Sequence, residues 1–352
     1  MSKVLVSGGA GFIGSHLVDA LVGRGDEVLV VDDLDPTAHQ GKPDYLNPKA
    51  RYLFGDIGDP KVLDEALPGT QVIYHLAALL GLEQSQREPA AFVRQNSLAT
   101  ATLVERVAGR AGGRVERFVV ASSNTVYGEG PSRCRSCGHI FAPGMRSVSA
   151  LERKEWEPTC PKCGGTPEPV PTPEEHPLTP ASVYAITKRD QEELALRVLP
   201  FRGVPTLALR FFNVYGPRQS PFNPYAGVIS LFRGRILRGE PPIVYEDGKQ
   251  SRDFVSVHDV ASALVLAGTR EISESTALNV GTGVRTPILE VAAKVLRLSD
   301  SSLVPQVANA HRSVDVRHSY ANLERTKKVL GYEPKYSLDA GLKELFTPPI
   351  PG

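Results

Sequence analysis

The stretch VSGGAGFIGSHL, residues 6–17, spaces Gly8, Gly11 and Gly14 three apart where the β-branched run KVLVS (3–7) passes into a helical pattern that begins at Phe12 and Ile13. Glycine at a strand-to-helix junction makes a tight turn, lets the backbone approach a pyrophosphate and packs helix against strand. The unpaired N–H groups of the helix start then face the anion. A flexible turn would account for the glycines alone. The second strand, EVLVVD (27–32), ends in Asp32, eighteen residues after Gly14. A carboxylate there accepts the ribose hydroxyls of NAD and repels the 2′-phosphate of NADP. Asp33 follows it, not an arginine. Together these signals predict an NAD site.

Outward from this stretch, short apolar runs alternate with helical patterns. RYLF (51–54), QVIYHLA (71–77), RFVVASS (117–123) and PTLALRFFN (205–213) read as further strands. Strands alternating with helices make βαβ units. The predicted fold is therefore α/β, a Rossmann-type doubly wound parallel sheet with a smaller C-terminal substrate lobe. The rhythm breaks over 131–175, which is rich in Pro, Gly and Arg and contains all four cysteines. The expected organisation is an NAD-binding domain over 1–130 and 176–216, an insertion over 131–175, and mainly the substrate lobe over 217–352. Helices are expected in the lobe near 226–238, 257–270, 287–297 and 338–346.

The charge balance, 40 basic against 39 acidic residues for a net +1, gives no basic field for nucleic acid or an anionic membrane. Neither partner is expected. With no leader-like segment and no run of about 18 apolar residues, the chain reads as cytoplasmic. Cysteines in a reducing compartment read as metal thiolates. Cys134-x-x-Cys137 and Cys160-x-x-Cys163, each followed by glycine, predict a structural zinc ribbon. The insertion is too polar to build a core, so zinc is expected to order it as a lid or wall over the active site.

In SVYAITK (182–188), Tyr184 and Lys188 stand at i and i+4 on one helical face. A tyrosine serving as a base near pH 7 needs a shift of about three units, roughly 4 kcal/mol. A cation about 4 Å away contributes on that order at an effective dielectric near 20. Ser123, at the end of RFVVASS, is expected at the same edge, passing a proton to Tyr184 or holding a substrate oxygen.

At this point the chain resembles the extended short-chain dehydrogenase/reductase family, in its nucleotide-sugar epimerase and dehydratase branch. The matching stretches include GGAGFIG, GDIGD, HLAAL, ASSNTVYG, YAITK, RFFNVYGPRQ, DGKQSRDFVSVHDVA, NVGTG and RHSYANLERTKKVLGYEP. The resemblance implies that Tyr184, Lys188 and Ser123 are catalytic. It implies that Asp56 and Ile57 flank the adenine and that Ala77 and Ala78 line the cofactor path. By the same resemblance Ser123, Asn124, Asn213, Arg252, Arg312 and Ser319 contact the substrate, with Arg252 and Arg312 at its diphosphate, and the chain forms a homodimer. Departures from the family pattern are Glu246 for a usual glycine, and Ser313 and Val314 for a usual Pro-Gly.

Family dehydratases carry an Asp-Glu pair after the catalytic hydroxyl residue, whereas this chain has Asn124 and Thr125. The resemblance then implies a nucleotide-sugar 4-epimerase that oxidises C4, turns the 4-keto sugar over and reduces it again. Its substrate would be a UDP-hexose, a UDP-N-acetylhexosamine or a dTDP-6-deoxyhexose such as dTDP-L-rhamnose. The alternatives are an NAD-dependent dehydratase or oxidoreductase and a non-catalytic dinucleotide sensor.

Overall fold

The computed structural model describes residues 1–36, 38–39, 41–109, 115–219, 227–312 and 314–346. A seven-stranded parallel sheet runs, edge to edge, Thr276–Val280, Thr206–Phe211, Arg117–Ser123, Val72–His75, Lys3–Ser7, Glu27–Asp32 and Arg51–Phe54. Lys3–Ser7 pairs with both Glu27–Asp32 and Val72–His75, so the chain order reverses there. In doubly wound sheets a ligand crevice opens beyond the carboxyl ends of the strands at such a reversal.

The strands are apolar on both faces because both faces are covered. Val4, Val6, Val119 and Leu209 pack with Leu17 and Leu21 of helix Phe12–Gly23 and with Val260 and Leu264 of helix Val257–Thr269. Leu5, Ile73, Phe118 and Ala208 face the other way, onto Leu103 of Ala99–Ala108 and Ala195 of Val183–Val198. A separate core, with Tyr215, Ile229, Phe232, Val291 and Leu342, holds the lobe together.

The lobe helices form at Val228–Leu237, Val257–Thr269, Ile288–Leu298 and Leu338–Phe346, near the expected places. Position 226 and Ser313 lie outside the described residues. The seventh strand, Thr276–Val280, comes from within 217–352, so that stretch also completes the large sheet. No described helix is long and apolar enough to cross a membrane.

Candidate active site

The glycine turn is tight for two different reasons. A Cβ on Gly14 would stand 2.1 Å from the Gly8 carbonyl oxygen, and one on Gly8 would stand 2.7 Å from the Ala77 nitrogen. Those two glycines are required by the chain itself. A Cβ on Gly11 would meet nothing nearer than the Gly8 oxygen at 3.4 Å, so the space above the helix start is open. It opens into a cleft of about 1250 Å³ lined by Phe12, Ile13, Asp32, Asp56, Ile57, Ala77, Ala78, Tyr184 and Lys188, with the three glycines at its floor. Asp32 is held rigidly, accepting from the backbone N–H of Ala10 at 2.9 Å and of Leu34 at 3.0 Å. Open cradle, fixed acid and apolar wall fit a dinucleotide.

Tyr184 and Lys188 share the helix Val183–Val198, which Ser182 caps by accepting from the Ala185 N–H. Burial pushes the Tyr184 hydroxyl up to about 12, while a hydrogen bond with Ser123 acts to lower it. Burial pulls Lys188 down to about 7, opposed by the nearby Glu192 carboxylate. Thr125 donates its hydroxyl to Ser123 at 2.9 Å. A buried ion pair locks helix to sheet: Arg210 bonds Glu192 through Nη2 at 2.5 Å and Nε at 3.0 Å, and Ser122 donates to Glu192 at 2.7 Å.

Several positioning residues lie outside the motifs. Gln191 accepts from Lys188 Nζ at 2.7 Å and donates to Thr100 at 2.8 Å and to the Ala77 carbonyl at 3.3 Å. Phe92 meets the Tyr184 ring edge-on, with centroids 6.5 Å apart. Asn96 sits on a π-helical turn, Val93–Leu98, a feature that recurs at functional sites. It accepts from Leu79 N–H at 2.7 Å and donates to Thr187 at 3.0 Å, joining the cleft loop to the catalytic helix. Arg218 lines the cleft with Nη1 buried and without a hydrogen-bond partner among the described residues. The arginine after YGP was its only signal in the sequence.

On the lobe side, Asn124 donates to Ser319 at 2.9 Å across 195 positions of sequence, so these two residues do meet at the strand end. Asn213 Oδ1 is buried without a partner among the described residues. Arg252 donates to the carbonyls of Ser251, Arg317 and Val316 at 2.9, 3.2 and 2.7 Å. Arg312 gives Nε to Asp315 at 2.8 Å and lies over the Tyr245 ring at 4.8 Å. None of Ser123, Asn124, Asn213, Arg252, Arg312 and Ser319 lines the cofactor cleft itself, although Ser122 and Thr125 beside Ser123 do.

The cysteines converge. Each knuckle closes on a glycine with φ 70°, Gly138 and Gly164, whose N–H bonds the carbonyl of the first cysteine at 2.9 and 2.8 Å. Sγ separations are 3.4 Å for Cys134–Cys163, 3.7 Å for Cys137–Cys160 and 3.4 Å for Cys137–Cys163. All four Sγ atoms lie within 4.8 Å of one another. Tetrahedral metal–thiolate bonds of about 2.3 Å put sulfurs about 3.8 Å apart, so the donor set fits one ion.

Sheet, cradle and the Tyr-Lys helix together define a dinucleotide-binding α/β enzyme scaffold. The family of NAD dependent epimerases and dehydratases matches residues 4–141 and 160–281, and the chain belongs to it. It is 36% identical to the dTDP-L-rhamnose 4-epimerase of Burkholderia thailandensis, over 98% of this chain and 94% of that one. Its fold is similar to UDP-glucose 4-epimerase from Thermotoga maritima with UDP-glucose, at TM-score 0.80 and 31% identity, covering 98% and 97% of the two chains. The Thermus thermophilus UDP-glucose 4-epimerase in complex with NAD matches at TM-score 0.78 and 28% identity, over 98% and 97%.

Proposed function

We propose that the chain is an NAD-dependent nucleotide-sugar 4-epimerase acting on a UDP-hexose, a UDP-N-acetylhexosamine or a dTDP-6-deoxyhexose such as dTDP-L-rhamnose. One observation carries the choice of reaction. Among the described residues, the carboxylates lining the cleft are Asp32, Asp33, Asp35, Asp44 and Asp56, all clustered beyond the second and third strands at the adenosine end. Where a dehydratase needs an acid and a base, this chain has Asn124, engaged with Ser319, and Thr125, engaged with Ser123. The side chains left at the reacting end are Tyr184, Lys188 and Ser123, a set that moves one proton.

Tyr184 takes the proton of the C4 hydroxyl and later returns it, with Ser123 holding the same oxygen. Bringing a hydroxyl near 12 to work at pH 7 is a shift of about five units, roughly 7 kcal/mol. Lys188 supplies about 4 kcal/mol of that if its ammonium stands about 4 Å away in an effective dielectric near 20. Bound NAD supplies the hydride acceptor at C4 and a second positive charge. Gln191 fixes the lysine on its helix, the Glu192–Arg210 pair fixes that helix against the strand Thr206–Phe211, and the Ser122–Glu192 bond fixes it against the strand of Ser123. Glu83 lies close enough to Arg312 to favour its charge, and a carboxylate there suits a neutral sugar better than an acidic one.

The deciding experiment is an ultraviolet spectrum of the enzyme with each candidate nucleotide sugar. An epimer appearing with no lasting NADH absorbance is expected. Accumulated NADH with a released keto sugar would make the enzyme an oxidoreductase, and no turnover of any sugar would leave a dinucleotide sensor.

The four-cysteine cluster is read as one structural zinc site, Cys134, Cys137, Cys160 and Cys163 each giving a thiolate. Reduced thiolates suit the cytoplasm. A homodimer through the helices around Tyr184 and before RFVV is supported by the exposed Val93, Leu98 and Ile186 on those helices. Sedimentation at twice the chain mass is expected, and a monomeric value overturns it.

A further inference from the structure

Among the described residues, none of the insertion, 131–175, lines the cleft. The insertion grips residues 311–312 and 314–322, which include Arg312 and Ser319. Thr172 N–H donates to the Tyr320 carbonyl at 2.8 Å, and Asn322 N–H returns to the Thr172 carbonyl at 2.9 Å. The Trp156 ring lies 6.4 Å from that of His311.

Between these contacts lies a buried set of charges drawn from all three parts of the chain. Arg146, on the insertion, reaches Glu246 at 2.8 Å, the Asp315 carbonyl at 2.8 Å and Glu129 at 3.3 Å, the last an ion pair without hydrogen-bond alignment. Arg317 reaches Glu246, Asp247 and the insertion's Glu157, each at 2.7 Å. Glu129 accepts the Arg317 N–H at 2.7 Å, and Glu157 contacts His318 at 3.1 Å. The side chains of Arg146, Glu129, Glu246 and Arg317 are 6, 7, 3 and 1% exposed. Charges so buried are kept only when paired.

Glu246 is the informative member. Its backbone lies in the left-handed region at φ 48°, where a residue with a Cβ is strained and glycine is not. Glycine at this position could not make the contacts Glu246 makes. Its carboxylate joins Arg146 of the insertion to Arg317, the residue between Arg312 and Ser319.

From this geometry we infer that the inserted module is a brace behind the substrate wall, acting through Arg146 and Glu157 to hold Arg312 and residues 314–319 in their binding position. The metal's contribution to substrate binding passes through this ion-pair set, because the knuckles fix the loop that carries Arg146 and Glu157. The inference rests on the reading of Arg252, Arg312 and Ser319 as substrate contacts. It needs nothing about the sugar chemistry.

The test is calorimetric titration of the NAD-loaded enzyme with UDP and with dTDP, alongside bound NAD and zinc content. Arg146→Gln and Glu246→Gly are each expected to weaken the better-binding nucleotide about tenfold, as network changes of this kind do. NAD, zinc and kcat should stay within about twofold of the parent on the same scale of coupling. Glu246→Gly also relieves the left-handed backbone, so it decides the matter if Arg146→Gln fails to retain NAD. Combining Arg146→Gln with Cys160→Ser should weaken binding no further than Cys160→Ser alone, since both cut one path. Nucleotide affinity within about twofold of the parent in the folded variants, or losses that multiply in the combination, overturns the brace. A failure of the epimerase reading would appear separately, as absence of product from a parent enzyme that still binds nucleotide.

Discussion

Tyr184→Phe is expected to lower kcat by about a thousandfold or more, within the range that a positioned general base contributes, while the purified enzyme keeps its NAD. The substitution removes one hydroxyl and leaves the ring, so the edge-on contact with Phe92 and the Ser182 cap of the helix remain. The lost hydrogen bond with Ser123 costs about 1 kcal/mol, too little to unfold a domain of this size. Among the described residues, no other group at that edge can take over. Ser123 is tied to Thr125 at 2.9 Å and has no base of its own, and Lys188 is turned to Gln191 at 2.7 Å. Because the proton moves only in the reaction, kcat and kcat/KM should fall together with KM nearly constant. Single-turnover measurement with the substrate that the ultraviolet screen identifies checks it. Turnover near that of the parent would remove Tyr184 from the chemistry.

The residues that were legible in the sequence are those whose geometry is set by their near neighbours. Gly8, Gly11 and Gly14 are read from one turn, Asp32 from the end of one strand, Tyr184 and Lys188 from one helical repeat. The two cysteine knuckles are equally local, and their meeting follows from the demand of thiolates for a shared ion. Contacts across long stretches were not legible without the family resemblance. Asn124 and Ser319 meet across 195 positions, and no periodicity encodes that. Asn96 escaped because a π-helical turn leaves the apolar pattern of its helix almost unchanged. The seventh strand escaped because TALNV stands in a stretch dominated by helices. The charges behind the substrate wall have no local signal beyond Glu246 standing for a usual glycine, since Arg146, Glu157, Glu246 and Arg317 become partners only after the insertion folds back on the lobe.

Removing the metal is expected to release the insertion without releasing NAD. Elemental analysis of the purified chain should give one zinc per four thiolates. After chelation, or in Cys160→Ser, trypsin should cut within 131–175 at the exposed Arg133, Arg135, Arg153 or Lys162 faster than in the parent, because cleavage needs local opening of the backbone around them. The physical reason is the thinness of the module's own core. Beyond Cys134, Cys160 and the prolines Pro131 and Pro167, its buried apolar side chains are Leu151 and Trp156, and its sheet is three short strands, Ile140–Phe141, Ser132–Cys134 and Pro167–Pro169. Two side chains at about 1.5–3 kcal/mol each cannot offset the ordering of some forty residues at about 1 kcal/mol or more apiece. A structural zinc contributes about 10–16 kcal/mol in small modules, the right scale for the deficit that the flanking contacts leave. The NAD cradle shares no residue with the insertion, and its glycine turn is closed by Gly8, Gly14 and Ala77. Cofactor content should therefore stay constant while cleavage rises. A metal-free protein that trypsin leaves as intact as the parent would mean that the lobe alone orders the insertion, and the cysteines would then be needed for something other than its fold.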